Sequence, residues 1–182
     1  NLIGHEAEKI VVSTFHSFGM KMLRMYANFL GYESNFNIYD TDDQTKVVRN
    51  ILKELGATVQ ETPKKIVSLI SKLKEDGVSP EDYEKTVPSF LENYKVIIET
   101  YKKYKIELKK NNAMDFSDLL IFTNELLDNP EILEKVQDRY RYVMVDEYQD
   151  TNNIQYQIIK KIAKKHLNIC VVGDEDQSIY GF

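Results

Sequence analysis

Residues 143–152, Val143-Met144-Val145-Asp146-Glu147-Tyr148-Gln149-Asp150-Thr151-Asn152, decide the fold. The apolar run YVMV (142–145) ends in two adjacent carboxylates, Asp146 and Glu147. A second run, NICVV (168–172), ends in Gly173-Asp174, with Asp176 just beyond. Between the runs the pattern predicts a helix from about Asn153 to Lys164. Continuous apolar strands one helix apart are what a parallel sheet requires when helices cover both its faces. Ligands of such sheets sit beyond the carboxyl ends of the strands, where these acids stand.

Upstream, IVVSTF (10–15) reads as a short β-branched strand, followed by a helix from about His16 to Leu30 that stops at Gly31. Asp40-Thr41-Asp42 caps a helix to Leu55, ended by Gly56; Thr62-Pro63 opens another to about Lys74, with Gly77 after it. Ser79-Pro80 starts a short one, since proline at the first helical position loses no hydrogen bond. The longest helix is expected over about 88–110, with Phe90, Tyr94, Ile97, Tyr101, Tyr104 and Leu108 at the alternating spacing of a packing seam. Those tyrosines read as core. Asp115 caps a helix to about Leu127, and Asn129-Pro130 opens the next. The simplest account is an α/β layer interrupted by an all-helical block over about residues 20–112.

Composition narrows the function. The 182 residues include 24 Lys+Arg, 29 Asp+Glu and one Cys, and 42% are hydrophobic, which excludes a disordered chain. Cys170 alone excludes a disulfide framework or a cysteine-based zinc cluster within this chain and fits a reducing compartment. No apolar run approaches the ~20 residues of a membrane span, and no secretory leader is visible. A net charge of −5 argues against holding nucleic acid by bulk charge alone. Residues 1–115 balance 17 basic against 17 acidic side chains, whereas 116–182 carry 7 against 12. That acidic excess points to a cation or metal-phosphate site in the last third. The sequence opens at Asn1 without Met and stops at Phe182 inside a patterned segment, so a fragment of a larger protein is expected.

The strand-end acids suit nucleotide chemistry. An Asp after a buried strand can hold a hydrated magnesium ion beside phosphates. A neighbouring Glu can orient or deprotonate an attacking water. Gln149 and Gln177 could reach a terminal phosphate without adding charge. Solvated turn acids are the bland alternative, and it loses weight because two such strands lie one helix apart.

VMVDEYQDTN (143–152) together with VVGDEDQSIYGF (171–182) resembles the superfamily 1 DNA helicases of the UvrD, PcrA and Rep type. The first segment resembles their Walker B motif, the second their third helicase motif. STFHSF (13–18) resembles their TFHS motif, and MDFSDLL (114–120) the DFxDLL segment before Walker B. All four stand in the family's order. The resemblance implies part of a RecA-like P-loop NTPase parallel-sheet domain with a large all-helical insertion. It divides the chain into 1–18 (motor domain 1A), 19–112 (inserted subdomain 1B) and 113–182 (return to the motor domain). It implies ATP and magnesium as ligands, with Asp146 the metal ligand through water, Glu147 the water-activating base and Gln177 the γ-phosphate sensor. Tyr180 and Phe182 match positions that stack on single-stranded bases, a sequence-tolerant contact. Without the resemblance, both would read as core. Thr14, Phe15, His16 and Ser17 match a segment lying along the DNA strand; a lone histidine there would read as structural. Asp115 and Asp118 read as helix-capping residues. Lys95, Lys102, Lys103, Lys105, Lys109 and Lys110 could touch phosphates, with a solvated helix face the slightly preferred reading.

The implied activity is 3′ to 5′ movement on single-stranded DNA and unwinding at single-strand/duplex junctions, with repair or replication proteins as partners. The implied setting is cytoplasmic, bacterial and nucleoid-associated, and the Lys-rich, Trp-free composition agrees with an AT-rich bacterial genome. The family's GxGKT loop, which cradles the triphosphate, does not occur in these residues. The 182 residues alone are therefore expected neither to hydrolyse ATP nor to unwind DNA. The rivals are the helicase part of a recombination helicase–nuclease, a non-catalytic DNA-binding module, and a metal nuclease using Asp146, Glu147 and Asp174.

Overall fold

The computed structural model describes residues 10–57, 61–88 and 92–174. Helix α1 (Phe15–Tyr26) begins at Thr14, whose Oγ1 accepts the Ser17 N–H, and runs into a 3-10 turn (Ala27–Leu30). Gly31 ends that turn in the left-handed region at φ 68°, where a side chain would be strained. Strand β1 (Asn37–Tyr39) leads to α2 (Thr41–Glu54), capped by Asp40, which accepts the N–H groups of Asp42 and Asp43. Thr62 caps α3 (Pro63–Glu75) and Ser79 caps α4 (Pro80–Thr86), each with proline in the first turn. Helix α5 (Glu92–Lys110) is followed by β2 (Ala113–Asp115), α6 (Phe116–Leu126) and α7 (Pro130–Arg139). The chain continues through β3 (Val143–Val145), a 3-10 turn (Tyr148–Asp150), α8 (Asn153–Ala163) and β4 (Ile169–Val171).

The described residues form two apolar cores. Met22, Leu23, Leu119, Leu126, Ile132 and Ile158 close one among α1, α6, α7 and α8. Val48, Ile51, Ile66, Ile70, Tyr101 and Tyr104 close the other among α2, α3 and α5. The expected seam on α5 holds at Ile97, Tyr101, Tyr104 and Leu108, all buried, whereas Tyr94 is 38% exposed. Phe90 lies outside the described residues.

Three expectations change. Residues 10–14 form no strand, and Ile10, Val11 and Val12 are exposed. A strand needs a partner for its backbone groups, and residues 10–14 pair with none of the described strands. Thr14 instead spends its hydroxyl on the α1 cap. The block from residue 20 to 112 is not all-helical, because β1 pairs in parallel with β2, Asn37 opposite Ala113 and Tyr39 opposite Asp115. Neither NIY (37–39) nor AMD (113–115) offers the continuous apolar run that marked β3 and β4. Asn112, left-handed at φ 46°, turns the chain after α5 so that its carbonyl accepts the Asn37 N–H at 2.9 Å.

The third change concerns coverage of the late strands. β3 and β4 pair in parallel as expected, Val143 opposite Ile169 and Val145 opposite Val171. Helix α8 packs on β3, and Val145 is buried. Met144 is 77% exposed, however, and Ile169, Cys170 and Val171 are exposed as well. Among the described residues only one face of β3 is covered, and β4 is exposed along its length. Over the described residues the architecture is mixed α/β, mostly helical, with two small parallel sheets.

Candidate functional site

The ends of β3 and β4 are tied together beyond the strands themselves. The Val172 N–H donates to the Val145 carbonyl at 2.8 Å, and the Tyr148 N–H to the Val172 carbonyl at 2.9 Å. Between these bonds Glu147 adopts φ 52°, ψ 43°. A left-handed non-glycine residue costs roughly 1–2 kcal/mol, and strain of this kind gathers at functional sites. Asp146 Oδ1 accepts the Glu147 N–H at 3.0 Å. The Gln149 carboxamide donates to Glu147 Oε2 and accepts the Asp174 N–H at 3.1 Å. One side chain thus spans both strand ends and fixes the Glu147 carboxylate. Gly173 makes room for it: a Cβ there would lie 2.8 Å from Gln149 Oε1.

Asp146 and Glu147 are both exposed, and among the described residues Asp146 engages only Oδ1. Among the described residues no three His, Cys, Asp or Glu side chains gather as a metal cage. An exposed carboxylate with a free oxygen suits magnesium, which keeps most of its waters and is shared with substrate phosphates. Gln149 is hydrogen-bonded to Glu147 and Asp174 and so bridges the two strand ends. Asp176, Gln177, Tyr180 and Phe182 lie outside the described residues.

The segment Thr14–Ser17 forms the first turn of α1. Thr14 Oγ1 donates to Ser17 Oγ at 3.0 Å, and the ring of His16 meets Phe116 edge-on at 6.1 Å between centroids. Phe15, His16 and Ser17 are half-buried and Thr14 is exposed. Helix α1 lies tightly on α6: a Cβ on Gly19 would come 2.8 Å from the Leu119 carbonyl oxygen and 2.7 Å from Thr123 Oγ1.

A buried ionic cluster escaped the sequence reading. Lys74 Nζ of α3 lies 2.7 Å from Asp115 Oδ2 and 2.6 Å from Asp118 Oδ1. Tyr104 donates to Asp115 Oδ2 at 3.0 Å. Asp115 and Asp118 also form the expected reciprocal cap of α6, at 2.9 and 3.1 Å. All four side chains are buried. Burial pulls the Lys74 ammonium down, but the charges of Asp118 and Asp115 outweigh it and hold the ammonium above its ordinary range. Burial pushes Asp115 up, yet Lys74 and three accepted hydrogen bonds hold it below its ordinary range. For Asp118, burial together with the charge of Asp115 prevails over Lys74 and raises the carboxyl to about 6. One signal was available: Lys74 falls four residues after Ile70, on the apolar stripe of α3.

The sequence pattern of the UvrD/REP helicase N-terminal domain matches residues 1–182. The chain belongs to the UvrD/REP helicase family. It is 42% identical over 184 aligned residues to the ATP-dependent DNA helicase PcrA of Staphylococcus epidermidis. To the PcrA of Staphylococcus aureus it is 40% identical over 183 residues. Both alignments cover the whole of this chain and 25% of the relative, so the chain spans about a quarter of their length.

In this UvrD/REP helicase chain the lysines of α5 are largely engaged within the protein. Lys102 pairs with Glu84 and Glu99, Lys103 with Glu54, and Lys110 with Glu107. Lys109 donates to the Leu30 carbonyl and sits 3.5 Å above the Tyr32 ring. These contacts favour the solvated-face reading over a phosphate-binding stripe. No described helix is long and apolar enough to cross a membrane.

Proposed function

We propose that this chain is the N-terminal motor segment of an ATP-dependent DNA helicase that moves 3′ to 5′ on single-stranded DNA and opens duplex at junctions. In this reading residues 1–18 and 113–182 belong to the motor domain, and 19–112 to a subdomain inserted into it. The whole protein works in the cytoplasm, at the nucleoid, in repair or replication. The observation that carries the reading is the clamp of the Glu147 carboxylate by Gln149, at a strained turn beyond a parallel strand. A carboxylate fixed there is oriented to accept a proton from water attacking a γ-phosphate.

Asp146 offers Oδ2 to a hydrated magnesium ion, which when bound neutralises phosphate charge. Gln177 contacts the γ-phosphate and couples it to Tyr180 and Phe182, which stack on bases. Thr14, Phe15, His16 and Ser17 run along the DNA backbone. Since GxGKT does not occur in these residues, the 182-residue segment by itself is inactive.

The test is ATP hydrolysis by the full-length parent, with and without single-stranded DNA, for wild type and Glu147→Gln. The expected result is strong DNA stimulation in the wild type and a loss of roughly 10²- to 10⁴-fold in the variant. DNA binding without hydrolysis in the wild type would overturn the motor reading and leave a binding module.

A further inference from the structure

Helix α6 is where the two cores meet. Its first turn receives Lys74 from α3, and its flank receives α1. The helices α2–α5 leave and rejoin the rest of the chain through β1 and β2, which lie side by side as a narrow neck. Asn112 staples that neck, accepting the Glu33 N–H at 3.0 Å and donating to Asn35 Oδ1 at 3.1 Å. A neck of two short strands leaves a helical block free to tilt. Lys74 reaches back from α3 to the last residue of β2, Asp115, and to the first turn of α6 at Asp118. Beside it, Ser117 donates to Glu75 at 2.9 Å.

An apolar filling of the same shape would stabilise such a site as well or better. What the ionic filling adds is direction. An ammonium between two carboxylates, with a tyrosine hydroxyl on one of them, is satisfied in a single relative placement of α3, α5 and α6. On the opposite flank α6 holds α1 without slack, through Gly19 against Leu119 and His16 against Phe116.

We propose that Lys74 is a positioning residue that locks the block α2–α5 to α6, and through α6 to the strand-contact turn Thr14–Ser17. The functional consequence rests on the helicase reading above; the lock itself does not. In a helicase, a locked block turns each closure of the motor into a push on the duplex. A loose one lets the motor hydrolyse ATP without opening base pairs.

The experiment uses the full-length parent, cysteine-depleted and spin-labelled at Lys53→Cys on α2 and Glu134→Cys on α7, both exposed positions. Lys74→Met alone could fail to fold, so the comparison is Lys74→Met/Asp115→Asn/Asp118→Asn, which removes all three charges and keeps an Asn cap on α6. The label–label distance distribution is expected to widen at least twofold in the triple variant. Base pairs opened per ATP are expected to fall about fivefold, with DNA-stimulated hydrolysis changed less than twofold. An unchanged distribution overturns the lock. A wider distribution with unwinding per ATP unchanged, or with unwinding and hydrolysis falling together, overturns the positioning role. If the wild type shows no DNA-stimulated hydrolysis, the helicase reading fails while the distances still judge the lock.

Discussion

Gly19 of α1 faces the backbone carbonyl of Leu119 on α6 so closely that a β-carbon would sit 2.8 Å from its oxygen. Mid-helix glycine ordinarily costs about 1 kcal/mol relative to alanine. Here contact between two backbones outweighs propensity. Gly19→Ala is therefore expected to lower stability by about 1–3 kcal/mol, as overpacking does. Urea unfolding measures it, and a more stable variant would show that α1 can move away from α6 at little cost.

Lys74 neutralises two buried carboxylates, so its loss leaves both without a cation. Lys74→Met is expected to cost about 3–5 kcal/mol, the range for breaking a buried ion pair from one side. Adding Asp115→Asn and Asp118→Asn should restore most of that loss, because no charge is then stranded. Thermal unfolding of the two variants gives the comparison. Equal melting temperatures would mean that water reaches the site.

The same cluster sets a pH dependence. The Asp118 carboxyl is raised from 3.8 to about 6, so between those values the folded protein holds a proton that the unfolded chain has released. Stability from this group is fully present below about pH 4 and is lost as pH rises through 6, by up to about 3 kcal/mol. Asp115, held below its ordinary range, acts oppositely: its contribution is present above that range and is lost as pH falls through its folded value. Urea midpoints for wild type and Asp118→Asn from pH 3.5 to 7.5 test this. The variant should lose the decline between pH 4 and 6 and keep the acid limb. Parallel curves through that window would contradict the assignment.

Gly173 faces the free end of the Gln149 side chain, 2.8 Å from where its β-carbon would lie. Gln149 can swing away, so Gly173→Ala is expected to change stability by less than about 1 kcal/mol. The swing releases the Asp174 N–H and frees the Glu147 carboxylate. On the proposed mechanism, DNA-stimulated kcat should fall roughly ten- to a hundredfold with KM for ATP little altered, as misplacement of a reacting group does. Unchanged kcat would show that the bridge is dispensable.

Much of the fold was legible because its signals are local. Asp40, Thr62, Ser79, Asp115 and Asn129 all cap helices, and Gly31, Gly56 and Gly77 all adopt left-handed turns next to helix ends. The Asp146-Glu147 pair after a continuous apolar run marked the strand end within a few residues. Residues 10–14 misled, because β-branched composition measures suitability for a strand and not the presence of a partner.

The sequence by itself determined where helices begin and end, which faces they bury and where the strand-end acids stand, since caps, glycines and apolar spacing act within one or two turns. Only the tertiary structure decided that β1 lies beside β2, that Gln149 bridges Glu147 and Asp174, and that Lys74 is buried between Asp115 and Asp118. Apart from the Gln149–Glu147 bond, those contacts join residues far apart in the chain. A lysine, glutamine or three-residue strand carries no local mark of the partner it will meet, and the packing of α3 and α1 on α6 supplies that partner.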